Sequence, residues 1–286
     1  MWHGIFFMLA AMAAFILNDT CVKLASENLP TGQIIFIRGL IATPLIVLLA
    51  WQRGALVRPA VVLHRSVFWR TIGEMSATVL YLSALFHMPI ANTNAILQTA
   101  PLLTTAAAAL FLGESVGVRR WSTIVIGFAG VLLIVRPGFE GFTAWSLAAL
   151  AGSFAMVLRD LSSRLLPAEV PTLAVTVITT VCVMLLGGAL SLAADWQPLA
   201  ITDLAYLAGA AVFLTAAYIF IIATMRAGDV SLVAPFRYSI MVWAIIIQII
   251  VFGAWPDGLT LAGSAVLVVT GVYMFARERA VARAAR

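Results

Sequence analysis

The sequence predicts an all-α integral membrane protein with ten transmembrane helices, arranged as two inverted five-helix repeats around a central cavity. Of its 286 residues, 63% are hydrophobic and 10% are charged, whereas a soluble domain has about 25% charged residues. Apolar stretches of about 20 residues, the length that crosses a bilayer as a helix, recur along the chain. Residues of the first half also recur 141 positions later, as from Asp19 to Asp160.

The apolar stretches are predicted as helices because backbone groups in lipid must find hydrogen-bond partners within their own segment. Short turn signals rich in Pro, Gly and Asp separate most of them. The ten predicted spans are residues 4–25, 33–51, 68–88, 91–113, 118–136, 142–165, 170–193, 203–225, 230–253 and 259–276.

The internal repeat holds at one spacing at both ends of the unit. The equivalent positions are Asp19 and Asp160, Lys23 and Arg164, Pro30 and Pro171, Gly130 and Gly271, and Arg136 and Arg277. Each unit has five spans, an odd number, so the second copy must enter the membrane from the opposite side. We therefore expect a first repeat at 1–137, a second, inverted repeat at 142–278, and a basic cytoplasmic tail at 279–286.

Arginine and lysine are concentrated at one set of helix ends. Thirteen arginines lie there, against only Lys23 and Arg136 at the opposite ends. Positive residues favour the cytoplasmic side of a membrane. The sequence therefore predicts a multi-pass protein of the bacterial inner membrane with both termini in the cytoplasm. Because the basic residues follow the helix ends, they do not indicate nucleic-acid binding.

Three charged residues within the spans are candidates for structural or coupling roles. A charge at the bilayer centre costs about 2.5–3.5 kcal/mol on insertion scales, so it needs a partner or a wet cavity. Asp19 and Arg38 are predicted at similar depth, where they can pair, and Asp160 is the repeat equivalent of Asp19. A purely structural role in clamping helices stays open for all three.

Polar and aromatic side chains on three predicted spans are candidates for a substrate site. They share helix faces at steps of three and four residues, and the aromatic members offer flat surfaces to a ring-bearing solute. The candidates are Glu74, Tyr81, Asn94, Gln98, Arg237, Tyr238 and Trp243. Interhelical hydrogen bonding and ordinary aromatic packing are the alternatives. No phosphate-binding loop or metal-ligand spacing is visible, so no cofactor is expected.

An ordered set of segments resembles the drug/metabolite transporter superfamily, in its ten-helix EamA-type branch. The segments are Asn18-Asp19 with Lys23, Phe36-Ile37-Arg38-Gly39, Leu112-Gly113-Glu114, Gly127-Phe128-Ala129-Gly130-Val131, Arg136-Pro137-Gly138, Ala234-Pro235-Phe236-Arg237-Tyr238 and Trp243-Ala244. One departure is Ala254, which follows Gly253 where Glu114 follows Gly113. The resemblance implies helices around a central cavity, with the fifth and tenth spans at the periphery. It is closest to the riboflavin or S-adenosylmethionine transporter sub-branch.

These features favour a secondary transporter that moves a small organic metabolite by alternating access. The resemblance implies riboflavin, S-adenosylmethionine or an amino acid-like solute as substrate. The expected partners are that small molecule and the lipid bilayer, and the sequence is compatible with a homodimer. Two alternatives stay open, a membrane-embedded enzyme acting on a lipid-linked substrate and a non-transporting membrane scaffold. The direction of transport and the coupling ion are not encoded in any motif.

Overall fold

The computed structural model describes residues 2–55, 64–113, 117–136, 143–167, 170–226 and 233–284. Within these ranges the chain is helical and contains no strand, which confirms the all-α prediction. The Glu114 position and the turns predicted at 137–138 and 228–229 lie outside the described residues.

Eleven α-helices and one 3-10 turn follow one another along the described chain. They are α1 (Trp2–Ala25), α2 (Thr31–Gln52), α3 (Arg65–His87), α4 (Ile90–Leu97), α5 (Ala100–Phe111), α6 (Val118–Val135), α7 (Ala144–Arg164), α8 (Thr172–Ser191), α9 (Ile201–Arg226), the 3-10 turn Ala234–Tyr238, α10 (Ser239–Phe252) and α11 (Gly258–Ala284). We call α1–α6 the first half and α7–α11, with the 3-10 turn, the second half.

Eight helical segments of the described chain are long and apolar enough to cross a membrane. α4 and α5 together form one of them, and Gly258–Met274 of α11 is a shorter apolar helix. α3 has the length, at 23 residues, but it is not one of the eight. It carries Arg70 and Glu74, and it packs along α7 inside the bundle.

The fourth span is broken where the sequence predicts one helix over 91–113. α4 ends at Leu97 and α5 begins at Ala100, because Pro101 has no N–H to donate to the carbonyl one turn earlier. The nearby Ile96 carbonyl accepts from the Thr99 hydroxyl at 2.6 Å and from the Ser153 hydroxyl of α7 at 3.2 Å. The break is therefore tied to the second half.

The principal helix contacts join the two halves. α1 packs on α9, α3 on α7, α2 on α8, and α6 on α11. If the halves are exchanged, the α1–α9 pair becomes the α7–α3 pair, and the other two pairs are unchanged. Gly32 lies beside Ser191 and Gly39 beside Met184, so α2 and α8 run antiparallel.

Small residues set the close approach of α6 and α11. A Cβ on Gly130 would lie 3.1 Å from the Gly263 carbonyl oxygen, and one on Gly127 would lie 3.2 Å from the Thr270 hydroxyl. Gly271 of α11 packs against the ring of Tyr238 in the same way. These glycines therefore mark close contacts of α11 with α6 and with the ring of Tyr238, and α6 and α11 also run antiparallel.

The C-terminal segment differs from the prediction. The expected last span ends at 276 and a tail begins at 279, whereas α11 continues as one helix to Ala284. Alanine and arginine are both good helix formers, and both are frequent in this stretch. The residues assigned from the sequence to a basic cytoplasmic tail therefore continue α11 as far as Ala284.

Candidate functional site

A buried carboxylate, Asp19 of α1, is surrounded by neutral hydrogen-bond donors. Asp19 is buried, with only 6% of its surface exposed. Its Oδ1 accepts from Asn18 Nδ2 at 3.0 Å, and its Oδ2 accepts from the Tyr81 hydroxyl and, at 3.5 Å, from Asn94 Nδ2. We call Asn18, Asp19, Arg38, Tyr81 and Asn94 the Asp19 cluster. It joins α1, α2, α3 and α4.

Arg38 contacts Asp19 through a neighbour. Its Nη1 donates to Asn18 Oδ1 at 3.4 Å, and Asn18 in turn donates to Asp19. The direct pairing expected from the sequence is not among the ion pairs of the described residues. The Asn18 amide therefore separates the two charges while linking them.

A second cluster is centred on Arg159 of α7. Its Nε donates to Asp160 Oδ1 at 2.8 Å, and its Nη1 lies 3.4 Å from Glu74 Oε2 of α3. We call Glu74, Arg159 and Asp160 the Arg159 cluster. The three side chains are only 18–31% exposed. Gly73 brings the helices together, since a Cβ there would lie 2.7 Å from the Arg159 backbone nitrogen.

Arg159 is the site residue that the sequence-based selection missed. Arg159 lies within the predicted span 142–165 but is not among the candidates named from the sequence. The structure pairs it with Glu74 of α3. The sequence signal that identifies Arg159 is its position beside Asp160, the repeat equivalent of Asp19.

Tyr218 of α9 connects the two clusters. Its half-buried ring packs edge-on to Phe15 of α1, with ring centroids 6.1 Å apart. The phenol lies within electrostatic range of Arg38 in the Asp19 cluster and of Glu74 and Arg159 in the other. The two clusters are therefore within electrostatic range of the same half-buried side chain, and we call the two together the polar path.

Arg237 lies in the 3-10 turn that precedes α10, and its side chain is exposed. It is within electrostatic range of Asp160 and Arg159. Yet it makes no hydrogen bond or ion pair with any residue of the described ranges, which leave out 227–232. Asp160 is instead paired with Arg159, so Arg237 supplies a positive charge that this carboxylate does not bind directly.

Two buried donors on broken helices also lack acceptors within the described part of the chain. Gln98 lies at the α4–α5 break and is 7% exposed, and its Nε2 has no partner. The indole Nε1 of Trp243 in α10 has none either. Buried donors are normally satisfied, so both groups are suited to binding a solute or water.

Tyr238 has a different position from the other predicted site residues. It is 2% exposed and packs in a hydrophobic cluster with Ile134 and Leu267. Its ring fills the space beside Gly271 of α11. It therefore anchors the 3-10 turn to α11, although its neighbour Arg237 is exposed.

Comparison with known proteins places the chain among membrane transporters. The model of the EamA-like transporter family matches residues 2–136 and 143–277. A riboflavin transporter of Vibrio cholerae is 28% identical over 285 residues, covering 95% of this chain and 92% of that protein. The pseudopaline exporter CntI of Pseudomonas aeruginosa is 29% identical and covers 92% of this chain and 93% of its own.

A more distant relative and a solved structure are also similar to nearly the whole chain. An S-adenosylmethionine uptake transporter of Rickettsia conorii is 21% identical, covering 96% of this chain and 93% of that protein. A solved crystal structure, 22% identical, has the same fold with a TM-score of 0.65 and covers 94% of this chain and 96% of its own. The chain therefore belongs to the EamA-like transporter family and is a multi-pass membrane transporter.

Proposed function

We propose that this chain is a secondary transporter that carries a small organic metabolite across the bacterial inner membrane. The observation that carries the proposal is the polar path formed by the Asp19 and Arg159 clusters. It brings carboxylates and arginines from both halves into the interior of an apolar bundle. Such groups are expensive in a membrane and mark solute pathways.

Alternating access is the mechanism that the helix arrangement supports best. Equivalent helices of the two halves, α2 with α8 and α6 with α11, run antiparallel, as an inverted repeat requires. Two similar units of opposite orientation give inward-open and outward-open states of similar energy. The site between the units is then exposed to each side in turn.

The proposed substrate is a small organic metabolite, either riboflavin or S-adenosylmethionine, which the names of relatives describe, or an amino acid-like solute. Arg237 is proposed to bind an anionic group of the solute. The free donors of Gln98 and Trp243 are proposed to bind its acceptor atoms, and Glu74, Tyr81 and Asn94 to line the path between them. Asp19, Arg38 and Asp160 are proposed to hold the helices or couple their movement.

The positive-inside pattern supports an orientation with both termini in the cytoplasm. In this orientation the exposed segment 192–200 between α8 and α9 faces the periplasm. Asp195→Cys, in a background lacking Cys21 and Cys182, should react with a membrane-impermeant thiol reagent added to intact cells, and Arg53→Cys should not. Labelling of Arg53→Cys but not of Asp195→Cys would show that both termini lie in the periplasm.

Uptake into liposomes tests the transport proposal directly. Purified protein should give saturable uptake of at least one of labelled riboflavin, S-adenosylmethionine or an amino acid, and the solute should be chemically unchanged inside. Asp19→Asn should reduce the rate, and Asp195→Asn, in an exposed loop, should not. Conversion of the solute to a product would favour the membrane-enzyme alternative. Absence of saturable uptake across a metabolite panel would favour a scaffold.

A further inference from the structure

A groove opens between α6 and α11 on the outside of the bundle. The two helices touch at Gly130 and Gly263 and stay close at Gly127 and Thr270. Beside this contact lies a cavity of about 380 Å³. The cavity, here called the α6–α11 groove, is lined by Arg119, Ser122, Thr123, Ile126, Val269, Thr270 and Tyr273.

The walls of the groove are suited to hydrocarbon. The hydroxyls of Ser122, Thr123 and Thr270 each donate to a carbonyl one turn earlier on their own helix, at 2.7–3.0 Å. They therefore need no polar ligand. Ile126 and Val269 are 53% and 67% exposed and supply the apolar surface between them.

The mouth of the groove is positively charged. Arg119 is exposed, and the ring of Tyr273 is 47% exposed beside it. Arg277 lies one turn beyond Tyr273 on the same face of α11. Neither arginine forms an ion pair with a side chain that the structure describes. A guanidinium and a phenol at the end of an apolar groove match a phosphodiester with an attached acyl chain.

We propose that the α6–α11 groove binds one anionic phospholipid. Its acyl chain lies against Ile126 and Val269, and its phosphate is held by Arg119 and Tyr273, with Arg277 adding to the attraction. A second copy of the chain fits this surface less well. In a twofold interface the same patch meets itself, so the arginines at the mouth would face those of the partner.

Lipid titration of the detergent-purified protein tests the proposal, with thermal stability and native mass spectrometry as readouts. Phosphatidylglycerol should stabilise the protein at lower concentration than phosphatidylcholine and should remain bound in the mass spectrum. An interfacial arginine contributes about 1 kcal/mol toward an anionic lipid. Arg119→Gln and Arg277→Gln should therefore each weaken phosphatidylglycerol binding about fivefold. Arg53→Gln, an exposed arginine away from the groove, should not.

Two further experiments distinguish a bound phospholipid from other occupants of the groove. Val269→Trp fills the groove and should reduce binding of both lipids, while the arginines remain. Glycerol phosphate without acyl chains should not stabilise the protein. Equal stabilisation by both lipids, undiminished phosphatidylglycerol binding in both arginine variants, or stabilisation by glycerol phosphate would overturn the proposal. So would a dimer that forms through this surface in place of bound lipid.

Discussion

At the scale of single residues, the guanidinium of Arg159 connects α7 to α3 in the interior of the bundle. The fork of Arg159 reaches Asp160 on its own helix and Glu74 on α3, a geometry that a lysine could not reproduce. Arg237 lies within electrostatic range of Asp160 without bonding to it. Since no side chain of the described ranges binds Arg237, its charge is the one that we propose binds the solute.

Replacement of Arg237 tests that assignment. Arg237→Ala removes a charge-assisted hydrogen bond to the solute, which contributes about 1.5–3 kcal/mol. We expect kcat/KM for transport to fall about 10- to 100-fold, with membrane expression preserved because the helices still span. Arg237→Lys should restore part of the rate, since it keeps the charge and loses the planar fork. Arg65→Ala, at an exposed arginine of α3, is the matched control. Transport at the wild-type rate by Arg237→Ala would show that Arg237 does not bind the solute.

A second residue-scale contact lies outside the membrane-spanning segments, where Asp257 precedes α11. Burial raises the pKa of this carboxyl. That effect is outweighed by the backbone N–H and hydroxyl of Thr260, at 2.9 and 3.0 Å, and by the ion pair with Arg136. The pKa of Asp257 is therefore below its ordinary value, and the charged form stabilises the α6–α11 end.

This contact predicts a pH dependence of stability. A carboxyl with a lowered folded-state pKa stabilises the protein above its unfolded pKa, about 3.9, and that contribution is lost as the pH falls through the folded value. Asp257→Asn should lower the melting temperature at pH 7. The difference from wild type should shrink as the pH is lowered below about 4. A difference that stays constant down to pH 3 would show that the charge is not involved.

The charged residues within spans could be selected from the sequence because insertion energetics make them exceptional. Their partners could not. Whether Glu74 meets Arg159 or Arg237 depends on how closely α3 approaches α7, and that approach is set by Gly73. In the sequence Asn18 stands out only as part of the Asn18-Asp19 motif, whereas in the structure its side chain joins Arg38 to Asp19.

At the scale of helices, one end of the bundle is closed by contacts across the halves. Lys23 of α1 donates to the Leu85 and Met88 carbonyls at the end of α3, and it lies 5.8 Å from the Phe252 ring centroid of α10. Near the same end, Gln248 of α10 accepts from the Ala91 N–H at 2.9 Å. These contacts hold α1, α3, α4 and α10 together.

Loss of the lysine should loosen this end. Lys23→Met leaves two carbonyls without their charged donor, a loss of about 1.5–3 kcal/mol. In a Cys182→Ala background, the native thiol of Cys21 in α1 should then react about tenfold faster with a maleimide. Lys23→Arg should retain the slow rate, and Asp195→Asn, in the exposed segment 192–200, should not change it. An unchanged rate in Lys23→Met would show that the contact does not control closure.

Helix identity followed from apolar length, but helix interruptions were only partly predictable. Pro101 indicates a freed carbonyl, yet the sequence does not show that the chain stops at Leu97 and restarts at Ala100. The sequence also does not show that the Ser153 hydroxyl of α7 donates to the buried Ile96 carbonyl beside the break. The 3-10 turn before α10 likewise depends on Tyr238 packing against Gly271.

At the scale of the whole molecule, the contact pattern is nearly the same when the halves are exchanged. The spacing from Asp19 to Asp160 predicted two units, and the odd number of spans predicted their inversion. Which helices pair could not be read from the repeat alone. α1 packs on α9 and α3 on α7, so both halves contribute to the polar path. In the proposed mechanism, relative movement of the halves opens this path to each side in turn.

Counterflow in liposomes tests this account most directly. Vesicles containing the protein are loaded with a high concentration of unlabelled solute and diluted into a trace of labelled solute. A carrier whose single site alternates between the two sides should accumulate label transiently above its equilibrium level, and Arg237→Ala should delay and lower this overshoot. A monotonic approach to equilibrium would indicate an open pathway, and no entry of label would contradict transport of that solute by this chain.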